Sequence, residues 1–208
     1  MYHVNEIFIS IQGEGQLTGT PAIFVRFYEC NLQCEFCDTA RDGWEPKTVA
    51  QIVNAIKVLG IKYVVLTGGE PLLANLRPLL DELIQDKDIL IGVETNGTCS
   101  IDQLIPYASR ISLSISPKVD RCRCKIDETA LLKAGFHSVS LKILFPYLDD
   151  PDMDVVSAIN FDTYPCSWKA IVPIAIPGQR TSVPAGEVLG LPAGWRLGVQ
   201  LHKLLNIA

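Results

Sequence analysis

The sequence is poor in positive charge: 18 Lys plus Arg stand against 23 Asp plus Glu, a net charge of -5. It therefore has no polybasic footprint for a nucleic-acid backbone or an anionic bilayer. Nucleic acid and membrane drop out as direct partners, and a small neutral or acidic ligand fits better. Long apolar runs are missing too. The longest, 170–178, holds two prolines and falls far below the ~20 residues of a spanning helix. After Met1 come the polar His3, Asn5 and Glu6, with no basic stretch leading into a signal-type apolar segment, so the expected location is the cytoplasm. Neither internal repeats nor low-complexity tracts occur. With 208 residues, 48% of them apolar, the expectation is a single domain over 1–208 with one continuous core.

A disulfide framework is excluded next. The seven cysteines are an odd number, and Cys30, Cys34 and Cys37 crowd into one short stretch, which suits reduced thiols or metal ligands better. Thiolates select zinc, Cu(I) or iron–sulfur clusters. Structural zinc normally takes four protein ligands, yet the next cysteine, Cys99, lies far downstream and no second paired motif follows. Three ligands on a four-iron four-sulfur cluster would instead leave one iron open for a small molecule. Zinc and ordinary buried cysteines stay open as alternatives.

What is present is an alternation of strand-like and helical segments. Strands are expected at 6–11 and 22–28, on either side of a glycine-punctuated loop over 13–19. Val49, Ile52, Val53, Ile56 and Leu59 recur at helical spacing, with Thr48 placed to cap the helix and Gly60 to stop it. A strand at 63–66 runs into Thr67-Gly68-Gly69-Glu70-Pro71, and a second helix is expected around Leu79, Leu80 and Leu83. Further strands are expected at 89–93, 110–115 and 139–144, each ending in polar or turn residues, and the Gly- and Pro-rich stretch 173–194 reads as irregular. Such an alternation is that of a parallel α/β sheet whose ligand site gathers outside the carboxyl ends of its strands. A complete eight-unit barrel takes about 250 residues. The fold class expected here is therefore α/β, a partial, open TIM-like barrel of parallel strands with reduced helix content.

The three-cysteine spacing with an aromatic residue, Phe36, before the last cysteine, followed by Gly68-Gly69-Glu70-Pro71 after a strand, resembles the radical S-adenosylmethionine superfamily. Within it, Ser10-Ile11-Gln12-Gly13-Glu14-Gly15, Phe24-Val25-Arg26-Phe27, Cys37-Asp38-Thr39, Glu94-Thr95-Asn96-Gly97, Ser116-Pro117-Lys118 and Gln200-Leu201-His202-Lys203 are together similar to the 7-carboxy-7-deazaguanine synthase family. The resemblance spans both ends of the chain. It implies a lyase that converts 6-carboxy-5,6,7,8-tetrahydropterin to 7-carboxy-7-deazaguanine with loss of ammonia, on the route to queuosine-type deazapurines. The implied cofactors are a 4Fe-4S cluster, S-adenosylmethionine and Mg²⁺. An external flavodoxin-like or ferredoxin-like electron donor and a homodimer are implied as partners.

Carried over by motif, Cys30, Cys34 and Cys37 would hold the cluster. Phe36, Cys37, Asp38, Gly68, Gly69, Glu70, Ser116, Pro117 and Lys118 would bind S-adenosylmethionine, whose sulfonium is cleaved reductively. Ile11, Gln12, Gly13, Glu14, Arg26, Thr67 and His202 would bind the pterin, helped by the carboxylate of the terminal Ala208. Thr39 would support Mg²⁺, an oxygen-seeking cation that keeps several waters or substrate oxygens. One departure stands out: the family's Gln-Pro pair reads Val172-Pro173 here, so these two are carried over through their backbone.

Blander readings exist for each residue. Gly68-Gly69 and Ser116-Pro117-Lys118 could be simple turns, Glu70 a helix-start charge, Arg26 a structural ion pair, His202 a core histidine, and Glu14 a brace for its loop. His3 and His137 read as structural or surface groups, and Cys99, Cys122, Cys124 and Cys166 as thiols without a cluster. Rival functions are a glycyl-radical-enzyme activase, disfavoured by the Gln12-Gly13-Glu14 loop and the His202 tail, and a zinc-stabilised binding module, disfavoured by only three clustered thiols.

Overall fold

Two antiparallel strands, β1 (Tyr2–Ile11) and β2 (Pro21–Phe27), begin a nine-stranded sheet, and the short β3 (Glu45–Lys47) pairs antiparallel on the far side of β1. From β2 the sheet continues in parallel through β4 (Tyr63–Gly68), β5 (Leu90–Thr95), β6 (Ile111–Ile115), β7 (Ser138–Phe145), β8 (Trp168–Pro173) and β9 (Trp195–Leu197). The order is β3-β1-β2-β4-β5-β6-β7-β8-β9. The sheet is open, with β3 and β9 at its edges, as expected for a partial barrel. The computed structural model describes residues 1–34, 37, 39, 43–117, 126–145, 165–173 and 193–207.

Among the described residues few helices accompany the strands. Helix α1 (Val49–Leu59) forms as its sequence dictates: Thr48 and Gln51 make a reciprocal capping box, and Gly60 ends it in the left-handed conformation at φ 75°. Its buried face is Ile52, Val53 and Ile56. Helix α2 (Arg77–Leu83) buries Leu79, Leu80 and Leu83. Then come α3 (Glu128–Ala134), capped by Asp127, and the single-turn α4 (Leu201–Leu204).

Because successive strand residues point to opposite faces, the sheet divides its side chains cleanly. Ile23, Val25, Val64, Leu66, Ile91, Val93, Ile111, Leu113, Leu141 and Ile143 belong to one buried apolar cluster with the helices on the outer face. Their alternate neighbours Arg26, Thr67, Glu94 and Lys142 line a cavity on the inner face.

Boundaries differ from the sequence reading in ways that have causes. Strand β1 starts four residues early because Tyr2 and Val4 are buried, and an irregularity between Val4 and Glu6 resets the register before the expected strand begins. Strand β4 runs on through Thr67 and Gly68, which pair with Arg26 and Phe27. The three-residue strands β3 and β9 were too short to show an alternation. Of the expected irregular stretch, 174–192 lie outside the described residues, as do Phe36, Asp38, Lys118, Cys122, Cys124 and Ala208. Among the described residues no helix is long and apolar enough to cross a membrane.

Candidate active site

The inner-face cavity has a volume of about 370 Å³, within the size range of small-molecule and cofactor pockets. One wall is the cysteine loop, which leaves β2 at Tyr28. Cys30 and Cys34 are half-buried and Cys37 is exposed, and all three line the cavity as thiols. Asn31 pins the loop to the end of β5: its amide donates to Thr98 Oγ1 at 2.8 Å and its carbonyl accepts from Asn96 Nδ2 at 3.0 Å. Cys37 N–H donates to Cys34 O at 3.2 Å, and the Leu32 N–H points at Cys30 Sγ at 3.4 Å.

These residues fit an iron–sulfur cluster on the chemistry of the donor set. Three soft thiols share a wall that no other cysteine among the described residues lines, and a backbone N–H already faces one sulfur, the kind of contact that tunes cluster thiolates. Among the described residues no three His, Cys, Asp or Glu side chains gather about a single metal ion.

The two glycines of the Gly68-Gly69-Glu70 segment have a steric reason. Gly68 has φ +117°, and a Cβ there would overlap the Phe27 backbone; a Cβ on Gly69 would overlap the Glu29 carbonyl and crowd Cys30. The end of β4 thus lies directly against the backbone that carries the first thiol, joined to it by Gly69 N–H to Phe27 O at 2.9 Å and Glu70 N–H to Glu29 O at 2.7 Å. Glu70 itself is 1% exposed and stands behind the wall. Its carboxylate accepts from Leu72 N–H, the Thr95 hydroxyl and Asn96 N–H at 2.7 to 3.0 Å, tying β4 to β5.

Elsewhere in the cavity lining, polar side chains hold one another in fixed orientations. Gln12 Oε1 accepts from Glu14 N–H at 3.2 Å, which turns its amide nitrogen to Glu94 Oε1 at 3.1 Å; the Thr67 hydroxyl donates to Glu94 Oε2 at 2.9 Å. Tyr63 crosses Gly92 beneath them, in space a Cβ on Gly92 would occupy. Burial pushes its phenol up to about 12, with the Glu94 charge adding to the rise and hydrogen bonds with Gln12 and Ser112 working against it. Arg26 lies over the Phe8 ring, donates to Glu6 Oε1 at 2.7 Å, and reaches Thr39 Oγ1 at 3.4 Å.

Another wall joins the chain's two ends. Glu14 accepts from Lys142 Nζ at 2.5 Å and from Gln200 Nε2 at 2.8 Å, and His202 sits where Gly13 has no Cβ. Burial alone would raise the Glu14 carboxyl. The Lys142 charge and hydrogen bond, the Gln200 hydrogen bond and the His202 charge outweigh burial and hold it below the ordinary carboxylate value.

The cavity therefore brings together, of the residues singled out from sequence, Ile11, Gln12, Gly13, Glu14, Arg26, Cys30, Cys34, Cys37, Thr39, Thr67, Gly68, Gly69, Ser116 and His202. It does not bring in Glu70, Pro117, Val172 or Pro173; Val172 is fully buried near the end of β8. His3 lies apart, ion-paired with Glu29 and stacked on Trp44, and His137 is exposed. Cys99 and Cys166 pack against the outer core.

Lys142, Glu94, Asn96 and Gln200 also line the cavity, though none was singled out as a site residue. The signal for Lys142 was there to read: Ser138, Ser140 and Lys142 are the polar alternates of an otherwise apolar strand.

Comparison with known proteins agrees with this geometry. Residues 24–116 match the model of the Radical SAM superfamily. The chain is 34% identical to 7-carboxy-7-deazaguanine synthase of Bacteroides thetaiotaomicron, covering 100% of this chain and 99% of that one. It is 30% identical to the Buchnera aphidicola protein of the same name, over 99% of both. Among solved structures, the crystal structure of QueE from Escherichia coli superposes with a TM-score of 0.71 at 26% identity, covering 97% of this chain and 94% of that one.

Proposed function

Because the chain belongs to the 7-carboxy-7-deazaguanine synthase family, we propose that the inner-face cavity is where 6-carboxy-5,6,7,8-tetrahydropterin loses ammonia to become 7-carboxy-7-deazaguanine. The protein is a radical S-adenosylmethionine enzyme of 7-deazapurine biosynthesis. The observation that carries the reading to this cavity is the meeting of three thiols, the Gly68-Gly69 step and a polar wall in one volume.

Cys30, Cys34 and Cys37 would hold a 4Fe-4S cluster, which supplies one-electron reductive cleavage of S-adenosylmethionine. Around it, Gly68 and Gly69 let the cofactor approach the backbone, and Ser116 offers a hydroxyl. Val172 and Pro173, outside the cavity lining, would contribute through their backbone. Arg26 presents a fixed fork of donors for the substrate carboxylate. Gln12, locked by Glu14 N–H and Glu94, offers the pterin edge one orientation of its amide. Thr67, Glu14, His202 and the backbone of Ile11 and Gly13 complete the substrate wall.

Thr39 brings a single hydroxyl, so Mg²⁺ would need substrate oxygens to complete its coordination and would bind with the pterin. The exposed Cys37 edge suits electron delivery from an external flavodoxin-like or ferredoxin-like donor. A single domain over 1–208, a homodimer and a cytoplasmic location complete the proposal. Glycyl-radical activation and zinc-stabilised binding are disfavoured by relatives that match the whole chain.

The test is anaerobic incubation of the iron–sulfur-loaded protein with S-adenosylmethionine, reductant, Mg²⁺ and 6-carboxytetrahydropterin. Mass analysis should find 7-carboxy-7-deazaguanine and ammonia. Cleavage of S-adenosylmethionine with the pterin left intact would overturn the substrate assignment.

A further inference from the structure

We propose that Lys142 is a positioning residue, which through Glu14 and Gln200 fixes α4 and His202 against the cavity; the inference rests on that cavity being the reaction site proposed above. The three side chains come from the N-terminal loop, β7 and the segment before α4. All three residues are buried. Both carboxylate oxygens of Glu14 have a donor: Oε2 takes Lys142 Nζ at 2.5 Å and Oε1 takes Gln200 Nε2 at 2.8 Å. The backbone reinforces the join beside them, where Leu201 N–H donates to Gly13 O at 3.0 Å. His202 then packs on Gly13 in space that any side chain at that position would fill.

Helix α4 depends on this polar clasp. It is one turn long and buries none of its residues, while Leu204, Leu205 and Ile207 remain exposed. A single turn is not stable by its own hydrogen bonds, and its apolar Leu201 is only half-buried. The Glu14 carboxylate therefore helps to hold His202 in register, and Lys142 leads the groups that keep that carboxylate charged in a buried place. Removing one partner of a buried pair leaves an uncompensated charge, whereas neutralising both does not. That asymmetry makes the role testable.

Hydrogen exchange on the cluster-loaded protein, without substrate, reads the clasp directly. In Lys142→Met the Leu201 amide should exchange about tenfold to a hundredfold faster, the range of couplings between side chains in one network, while the amides of α1 keep their protection. The double variant Glu14→Gln/Lys142→Met should regain most of that protection, because a glutamine can still accept from Gln200. The KM for the pterin should rise with the single variant, and that of the double variant should match Glu14→Gln alone. A lysine that touched the substrate itself would instead add its own KM defect to that of Glu14→Gln.

Unchanged exchange at Leu201 in a folded Lys142→Met protein overturns the proposal, as does a double variant no better than the single. If Lys142→Met does not fold, a folded and protected double variant supports the pairing, and a folded but unprotected or an unfolded one overturns it. The exchange measurement needs no turnover, so it fails or succeeds separately from the assignment of the reaction.

Discussion

The two faces of the sheet are built from the same strands and do opposite things. On the outer face Leu66, Ile91 and Leu113 are fully buried among α1, α2 and their neighbours; on the inner face Thr67, Gly92 and Ser112, one residue along, bear hydroxyls or no side chain at all. Period-two alternation allows this division. One face can be filled to native density while the other keeps a cavity whose polar groups satisfy one another. Among the described residues no buried side-chain nitrogen or oxygen lacks a partner, so the cavity's polar groups are satisfied, while Ala22, Phe24, Tyr63 and Val65 form a second apolar cluster on the same face. Stability and chemistry are thus separated by residue parity only toward the carboxyl ends of the strands.

The sharpest break should come from the inner side. Replacing Cys30, Cys34 and Cys37 together with Ala should abolish both the cluster absorption and reductive cleavage of S-adenosylmethionine, while the denaturation midpoint of the apo protein barely moves. Retention of a four-iron cluster by the triple variant would refute the assignment of these thiols.

On the outer face, Leu66→Ala should do the reverse. Truncating a fully buried leucine costs about 2 to 5 kcal/mol, measurable as a lower urea midpoint with an unchanged slope. Protein that remains folded should still load its cluster. A cost under about 1 kcal/mol would mean that the outer layer is looser than its burial implies.

The smallest effect tests a buried charge pair that joins the inner walls. The Glu14 carboxyl is held below its ordinary value of 4.5, so its contribution to stability is fully present above that pH and is lost as the pH falls through the folded value. Acid titration of stability should therefore be steeper for the native protein than for Glu14→Gln, by at most about 1.4 kcal/mol per pH unit for one proton. Parallel profiles would show that Glu14 binds its proton equally well folded and unfolded.

Much of this was legible in the chain itself. Thr48, the spacing of Ile52, Val53 and Ile56, and Gly60 specify α1 locally, because caps and amphipathic periods act within a few residues. The three thiols, the paired glycines and the parallel class could be read for the same reason: a motif is a local pattern, and alternating elements of this length leave few topologies. Even so, the two glycines owe their place to a contact that no local pattern contains, the backbone of Phe27 and Glu29 lying against them.

The sequence by itself determined the segments that become β1, β2, β4 to β7, α1 and α2, where one loop gathers three thiols, and that the chain resembles a radical S-adenosylmethionine enzyme. Tertiary structure alone decided that Glu70 braces β4 to β5 from behind the cavity, that Gln12 turns its nitrogen to Glu94, and that Glu14 meets Lys142 and Gln200 across most of the chain. The physical reason is range. Capping, periodicity and steric preference are set by near neighbours, but the partner of a buried polar group is set by which strands the sheet brings side by side. A carboxylate such as Glu14 has no fixed role until the sheet supplies the ammonium beside it.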